Sequence, residues 1–196
     1  MLIGKDLRKL IIPLIIEQIL AIAVGMADTI MVSAAGEAAV SGVSLVDTVN
    51  ILLINVFSAL ATGGAVVSGH FLGKKKREDA CKSAWQILLF ATLLACVISV
   101  IFITAHDPLL RLMFGKIEDD VMKASKTYLI ITTYSFVALA IYNSCAALFR
   151  AMNESKVTMW VSLLMNVINV VGNAICIYGL HMGVAGVAIP TTIPDM

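Results

Sequence analysis

Two carboxylates stand in a stretch where a lipid bilayer penalises charge. Leu10–Val32 reads LIIPLIIEQILAIAVGMADTIMV, an apolar run of 23 residues interrupted by Glu17 and Asp28. As a helix it is roughly 35 Å long at about 1.5 Å per residue, enough to cross a bilayer core. The two acids are eleven residues apart, close to three full turns, so both fall on one face with Ala21 and Gly25 between them. An ionised Asp near a helix centre costs about 2.5–3.5 kcal/mol on insertion scales, so something must solvate it, pair it or protonate it. Either it hydrogen-bonds to a neighbouring helix, or it binds a proton or small cation on a transport path. The second reading is carried forward here.

A second polar stripe matches the first in depth. Ser162, Asn166, Asn169 and Asn173 follow helical spacing in an otherwise apolar run, so three carboxamides share one side of a helix. A single buried Asn usually joins two helices, whereas three in register suggest a wall facing water or a ligand. Asp28, Asn169, Asn173 and Thr191 all lie within roughly 15 Å of the same end of their spans, at about 1.5 Å per residue. One carboxylate, two amide oxygens and a hydroxyl at one level suit a proton or a hard monovalent cation and offer nothing to a thiophilic metal. Tyr128, Thr132, Ser135 and Asn143 form a further polar side in another apolar run.

The elements that must hold these groups are membrane helices. The chain has 196 residues, 60% of them hydrophobic and 14% charged, with a mean hydropathy of +0.96; soluble domains carry about 25% charged residues. Five full spans are expected at about 10–33, 48–72, 82–105, 127–149 and 157–178, with a sixth starting near 184. Runs this long and apolar are wrong for barrel strands, so the fold class is all-α, a polytopic transmembrane bundle. The apolar part of the first run is too long for a signal-peptide core and reads as a retained helix. Ten of the 14 basic residues, including Lys5, Arg8, Lys9, Lys74–Arg77, Arg150 and Lys156, fall on the side of the N-terminus, which orients that side to the cytoplasm.

Other features carry less. Lys74–Arg77 is read as a topology determinant rather than a nucleic-acid patch, and Gly69–Gly73 as a helix-packing motif. His70 is an interfacial residue, with a proton relay as the sharper alternative. Residues 107–126, with Leu109, Leu110, Leu112, Met113 and Phe114, are partly amphipathic and are expected to lie along the membrane interface. Cys81, Cys96, Cys145 and Cys176 lack metal or redox spacing and imply neither disulfide nor zinc. No catalytic triad, phosphate loop or metal motif is present in the sequence, so no enzyme activity, metal or cofactor is expected.

The motifs resemble those of the multidrug and toxic compound extrusion (MATE) transporters, in their N-terminal half. The resemblance rests on Pro13 through Asp28-Thr29, Ser68–Gly73, Leu148–Lys156, and Asn169 through Gly186 to Thr191, in order over about 190 residues. It implies one six-helix lobe of a two-lobe antiporter that exports cationic or amphiphilic compounds in exchange for H+ or Na+, and a small-molecule substrate, membrane lipid and a second lobe as partners. By resemblance, Asp28 is the first-helix carboxylate of a cation site completed by Asn169 and Thr191, Pro13 marks a place of helix bending, and Tyr128 lies near the carboxylate. Glu17 and Asn166 are secondary cavity candidates. Asn173 stands where some members carry a second Asp, so one carboxylate rather than two is expected there. Asn153 replaces a common Gly, and Pro190 replaces a small residue. The sixth span, some 13 residues long, is expected to be incomplete, making residues 1–196 one truncated lobe. Two alternatives stand beside this: a fragment that transports nothing or serves as a membrane interaction module, and a flippase for lipid-linked substrates. The flippase is disfavoured by acids and amides in the spans where such proteins need cations.

Overall fold

The structure, a computed structural model, describes residues 4–34, 36–180 and 184–192, the side chains of residues 4–10, Val187 and Thr191 excepted. The described residues form helices α1 (Gly4–Ser33), α2 (Glu37–Gly73), α3 (Arg77–Thr104), α4 (His106–Phe114), α5 (Asp119–Thr133), α6 (Phe136–Ala151), α7 (Ser155–Ala174) and α8 (Val184–Thr192), with one π-helical turn, Ile175–Gly179, closing α7. Four helices are long and apolar enough to span a membrane, and α5 with α6 makes a fifth span bent by 52°.

The second span begins eleven residues earlier than expected. The expected start at 48 leaves Asp47 outside the span, yet Ala39, Val43, Val46, Val49, Leu53, Phe57, Ala61 and Ala65 continue one buried stripe at three- and four-residue spacing. Hydrophobic burial along that stripe draws the polar turn into the helix. As a result α2 runs through the centre of the bundle, against α3, α5 and α6, while α1 packs chiefly on α7. Phe57 and Phe136 are fully enclosed, with Ala91, Ala95 and Ala140 filling the space between α2, α3 and α6. A second cluster joins Met31, Val32, Val43, Val46, Leu129, Ile177 and Ala188 at the α1–α2 end.

The fourth span is likewise two helices rather than one. Thr132 Oγ1 donates to Tyr128 O at 2.9 Å, Thr133 Oγ1 to Leu129 O at 2.6 Å and Ser135 Oγ to Thr132 O at 2.9 Å. Hydroxyls bonded back onto the preceding turn compete with the backbone ladder and bend helices. Asn143 turns onto its own helix too, donating to Leu139 O. Three members of the expected polar side therefore shape the backbone.

The segment after α3 divides its apolar residues. Leu110 is buried in the core while Leu112 is 83% exposed, and Lys126 pairs with Asp107 to tie α4 to α5. Asn153 has φ 65°, the left-handed conformation that Asn tolerates in place of Gly. Outward faces are apolar throughout the long helices, with Ile22, Met26, Ile30, Leu93 and Leu164 each more than 60% exposed. Such surfaces need lipid or another helix layer to cover them.

Close helix approach occurs at Gly42 rather than at the Gly69–Gly73 motif. A Cβ at Gly42 would lie 2.7 Å from Ala124 Cβ and 2.9 Å from the Ser125 nitrogen, whereas Gly69 has ordinary clearance to Ala151 and Gly73 faces open space. Ser125 Oγ donates to Gly42 O at 3.2 Å across the same contact. Gly42→Ala is expected to cost about 1–3 kcal/mol through overpacking against α5. Gly63→Ala, with nothing within 4 Å, is expected to be neutral or stabilising by up to about 1 kcal/mol. Thermal unfolding in detergent measures both; equal midpoints for the two variants would contradict the close contact.

Candidate functional site

Asp28 lies on α1 five residues before its end at Ser33, and α7 brings Asn173 directly to it. Asn173 Nδ2 donates to Asp28 Oδ1 at 2.6 Å and to Asn169 Oδ1 at 3.1 Å. The asparagine stripe thus turns inward onto the carboxylate, with Asn169 one turn behind and orienting the carboxamide. Asn173 is fully buried, and its Oδ1 has no hydrogen-bond partner among the described residues. A buried amide oxygen left bare costs free energy, so the arrangement is poised for a donor or cation that would satisfy it.

The other face of Asp28 opens on a cavity of about 80 Å³ between α1, α2 and α5. Tyr128 and Asp47 line it, and the two form a hydrogen bond in which the phenol donates to the carboxylate. Asn50 Nδ2 approaches Asp47 Oδ1 at 3.5 Å from the next turn of α2. Tyr128 is therefore beside Asp28, as the resemblance implied, but its hydroxyl serves Asp47. The span expected at 48–72 starts one residue beyond this acid, so the sequence reading leaves Asp47 out of the helix. Its spacing to Asn50 and to the Val43, Val46 and Val49 stripe was the signal that could have found it.

Glu17 does not join this group. Arg150 Nη2, at the end of α6, donates to Glu17 Oε1 at 2.7 Å, and the Glu17 side chain is 12% exposed. Three turns separate the two acids of α1, and each faces a different neighbour: Asp28 meets α7, Glu17 meets α6. By sequence alone Arg150 counts only as a topology charge. Asn166 lies half-buried one further turn along α7, outside the hydrogen-bonded cluster, and its amide nitrogen has no partner among the described residues. Pro13 is buried inside α1, which remains helical from Gly4 to Ser33. Thr191 belongs to α8, but its side chain lies outside the described residues. Packing brings α8 to the site nonetheless, because a Cβ at Gly172 would come within 2.6 Å of Pro190 Cβ.

Long apolar helices enclosing acids and amides define a multi-pass helical membrane protein. The MatE family model matches residues 13–175, and the chain belongs to that family. It is 32% identical over 186 residues to the uncharacterized transporter YisQ of Bacillus subtilis, covering 92% of this chain and 40% of that protein. With a probable multidrug resistance protein NorM of Thermotoga maritima it shares 27% identity, covering 97% of this chain and 42% of the relative. Among solved structures, the fold matches an outward-facing multidrug resistance MATE family transporter of the MOP superfamily with a TM-score of 0.90 at 24% identity, over 97% of this chain and 42% of that one. The chain thus spans about two fifths of the length of the relatives it matches.

Proposed function

We propose that this chain forms the N-terminal lobe of a two-lobe antiporter, with its N-terminus in the cytoplasm, and that Asp28 carries the coupling cation, H+ or Na+. Cationic or amphiphilic compounds would leave the cell in exchange, through a cavity between this lobe and its counterpart. The observation that carries the reading is the 2.6 Å hydrogen bond from Asn173 to Asp28, backed by Asn169.

The chemistry is a change of donor and acceptor roles. Ionised Asp28 only accepts, and it takes the Asn173 N–H. Protonated, it gains an O–H donor, and the bare Oδ1 of Asn173 is the acceptor that fits, closing a two-point acid–amide pair. A sodium ion would use the same oxygens as ligands, joined by Asn169 and Thr191. Either load changes how α1 is held against α7, and that difference in interaction is what shifts a transporter between its states. A site between two halves that rock against each other converts the shift into alternating access.

The test is dye export by the two-lobe protein in cells lacking other efflux pumps. Ethidium efflux is expected to stop when the proton gradient is collapsed or when sodium is replaced by choline. Efflux indifferent to both gradients would overturn the proposal.

A further inference from the structure

The resemblance leads one to expect a single carboxylate at this level, yet α2 supplies another. Asp47 is ten residues into α2, roughly 15 Å from its start at about 1.5 Å per residue, and it lines the same cavity as Asp28. The cavity of about 80 Å³ is walled by both acids, and its lining includes no Lys, Arg or His among the described residues. The two carboxylates are near enough to act on each other electrostatically. Two like charges in a low-dielectric bundle are expensive unless a positive charge is shared between them.

Neutral oxygens complete the setting. The Tyr128 hydroxyl binds Asp47, and the hydroxyls of Ser44 and Thr29 line the cavity wall. Thr29 Oγ1 donates to Gly25 O, which leaves its lone pairs free. Two buried amide oxygens, Asn173 Oδ1 beside Asp28 and Asn50 Oδ1 beside Asp47, have no hydrogen-bond partner among the described residues. Each acid is thus flanked by an acceptor with nothing to accept from. The volume exceeds the roughly 10–15 Å³ that one water needs, so a cation could keep part of its hydration there.

We propose that the cavity between α1, α2 and α5 is a binding position for one monovalent positive charge shared by Asp28 and Asp47, with Tyr128, Ser44 and Thr29 as neutral oxygens. It adjoins the Asn169–Asn173 side of Asp28 but is built from other helices, and it rests on the reading of Asp28 as the coupling carboxylate. Asp47 is then a second binding residue, and α2 responds to the load along with α1.

Calorimetric sodium titration of the intact protein in lipid nanodiscs, at pH 8 in choline-balanced buffer, forms one arm. Infrared difference spectra of carboxyl protonation between pH 8 and pH 5, in sodium-free buffer, form the other. If the shared charge is sodium, wild type binds saturably and Asp47→Asn weakens binding at least tenfold, with Asp47→Glu retaining it better. If it is a proton, sodium gives no heat, and Asp47→Asn diminishes the protonated-carboxyl band and displaces what Asp28 contributes. Ser44→Val, which fills the cavity and leaves both acids in place, reduces the same signal and serves should Asp47→Asn not fold. Wild-type behaviour of Asp47→Asn and Ser44→Val in both arms, alongside loss in Asp28→Asn, overturns the inference and leaves the coupling role of Asp28 standing. No loss in Asp28→Asn either overturns both.

Discussion

Asp28→Asn is expected to abolish gradient-coupled export in the two-lobe transporter while leaving the helical bundle folded. Asparagine has nearly the size of aspartate and keeps an oxygen to accept the Asn173 N–H, so the 2.6 Å contact between α1 and α7 has a substitute. What disappears is the charge and the site for a proton. The bundle loses no buried hydrogen bond and is spared the cost of a carboxylate in the membrane, so thermal stability should hold or rise. Dye efflux at matched expression should fall at least tenfold, to the level of cells without the transporter. Coupled efflux at wild-type rate in Asp28→Asn would remove the central assignment, whatever the variant's stability.

The second large effect is structural and lies three turns away. Arg150→Ala should destabilise the protein by about 2–3 kcal/mol. Breaking a buried ion pair by removing one partner costs roughly 3–5 kcal/mol, and the figure is reduced here because the Arg150 side chain is 30% exposed. Glu17 would be left with its carboxylate among helices; its Oε2 is already buried and without a hydrogen-bond partner among the described residues. The paired variant Glu17→Gln with Arg150→Gln should recover part of the loss, because a neutral amide pair can still bond without stranding a charge. Thermal unfolding in detergent, run as a double-mutant cycle, reads the coupling directly. Additive losses would mean that the two side chains do not act as a pair. A strong coupling would make α1 a helix held at two points, by Arg150 below and Asn173 above, roughly 16 Å apart at about 1.5 Å per residue. Only the upper hold depends on ion loading in the proposed cycle, so α1 would pivot about Glu17 rather than slide.

Much of this molecule is legible along single helices. Apolar length settles that the chain crosses a membrane several times, because a bilayer admits no other use for such runs. Helical spacing places Asn169 and Asn173 on one side of α7 and gives them the depth of Asp28. The order of those motifs along the chain is enough to point to the MATE transporters. Where polarity interrupts a run, the same reasoning falters. A span expected from 48 leaves Asp47 outside it, and Thr132 and Ser135 read as part of a polar side. In the fold Asp47 is inside α2, and the hydroxyls of Thr132 and Ser135 bend the fourth span.

What only tertiary structure decides is which polar group meets which. Glu17 and Asp28 share a face by sequence, yet one is held by α6 and the other by α7. Tyr128 could have served either acid near it, and it serves Asp47. The reason is physical: periodicity sets the face and depth of a residue on its own helix. The rotation and neighbours of each helix come from side-chain fit between helices, as where Gly42 admits Ala124 and Ser125 of α5 and Gly172 admits Pro190 of α8. Those contacts join residues far apart in the chain, so no window of sequence contains them.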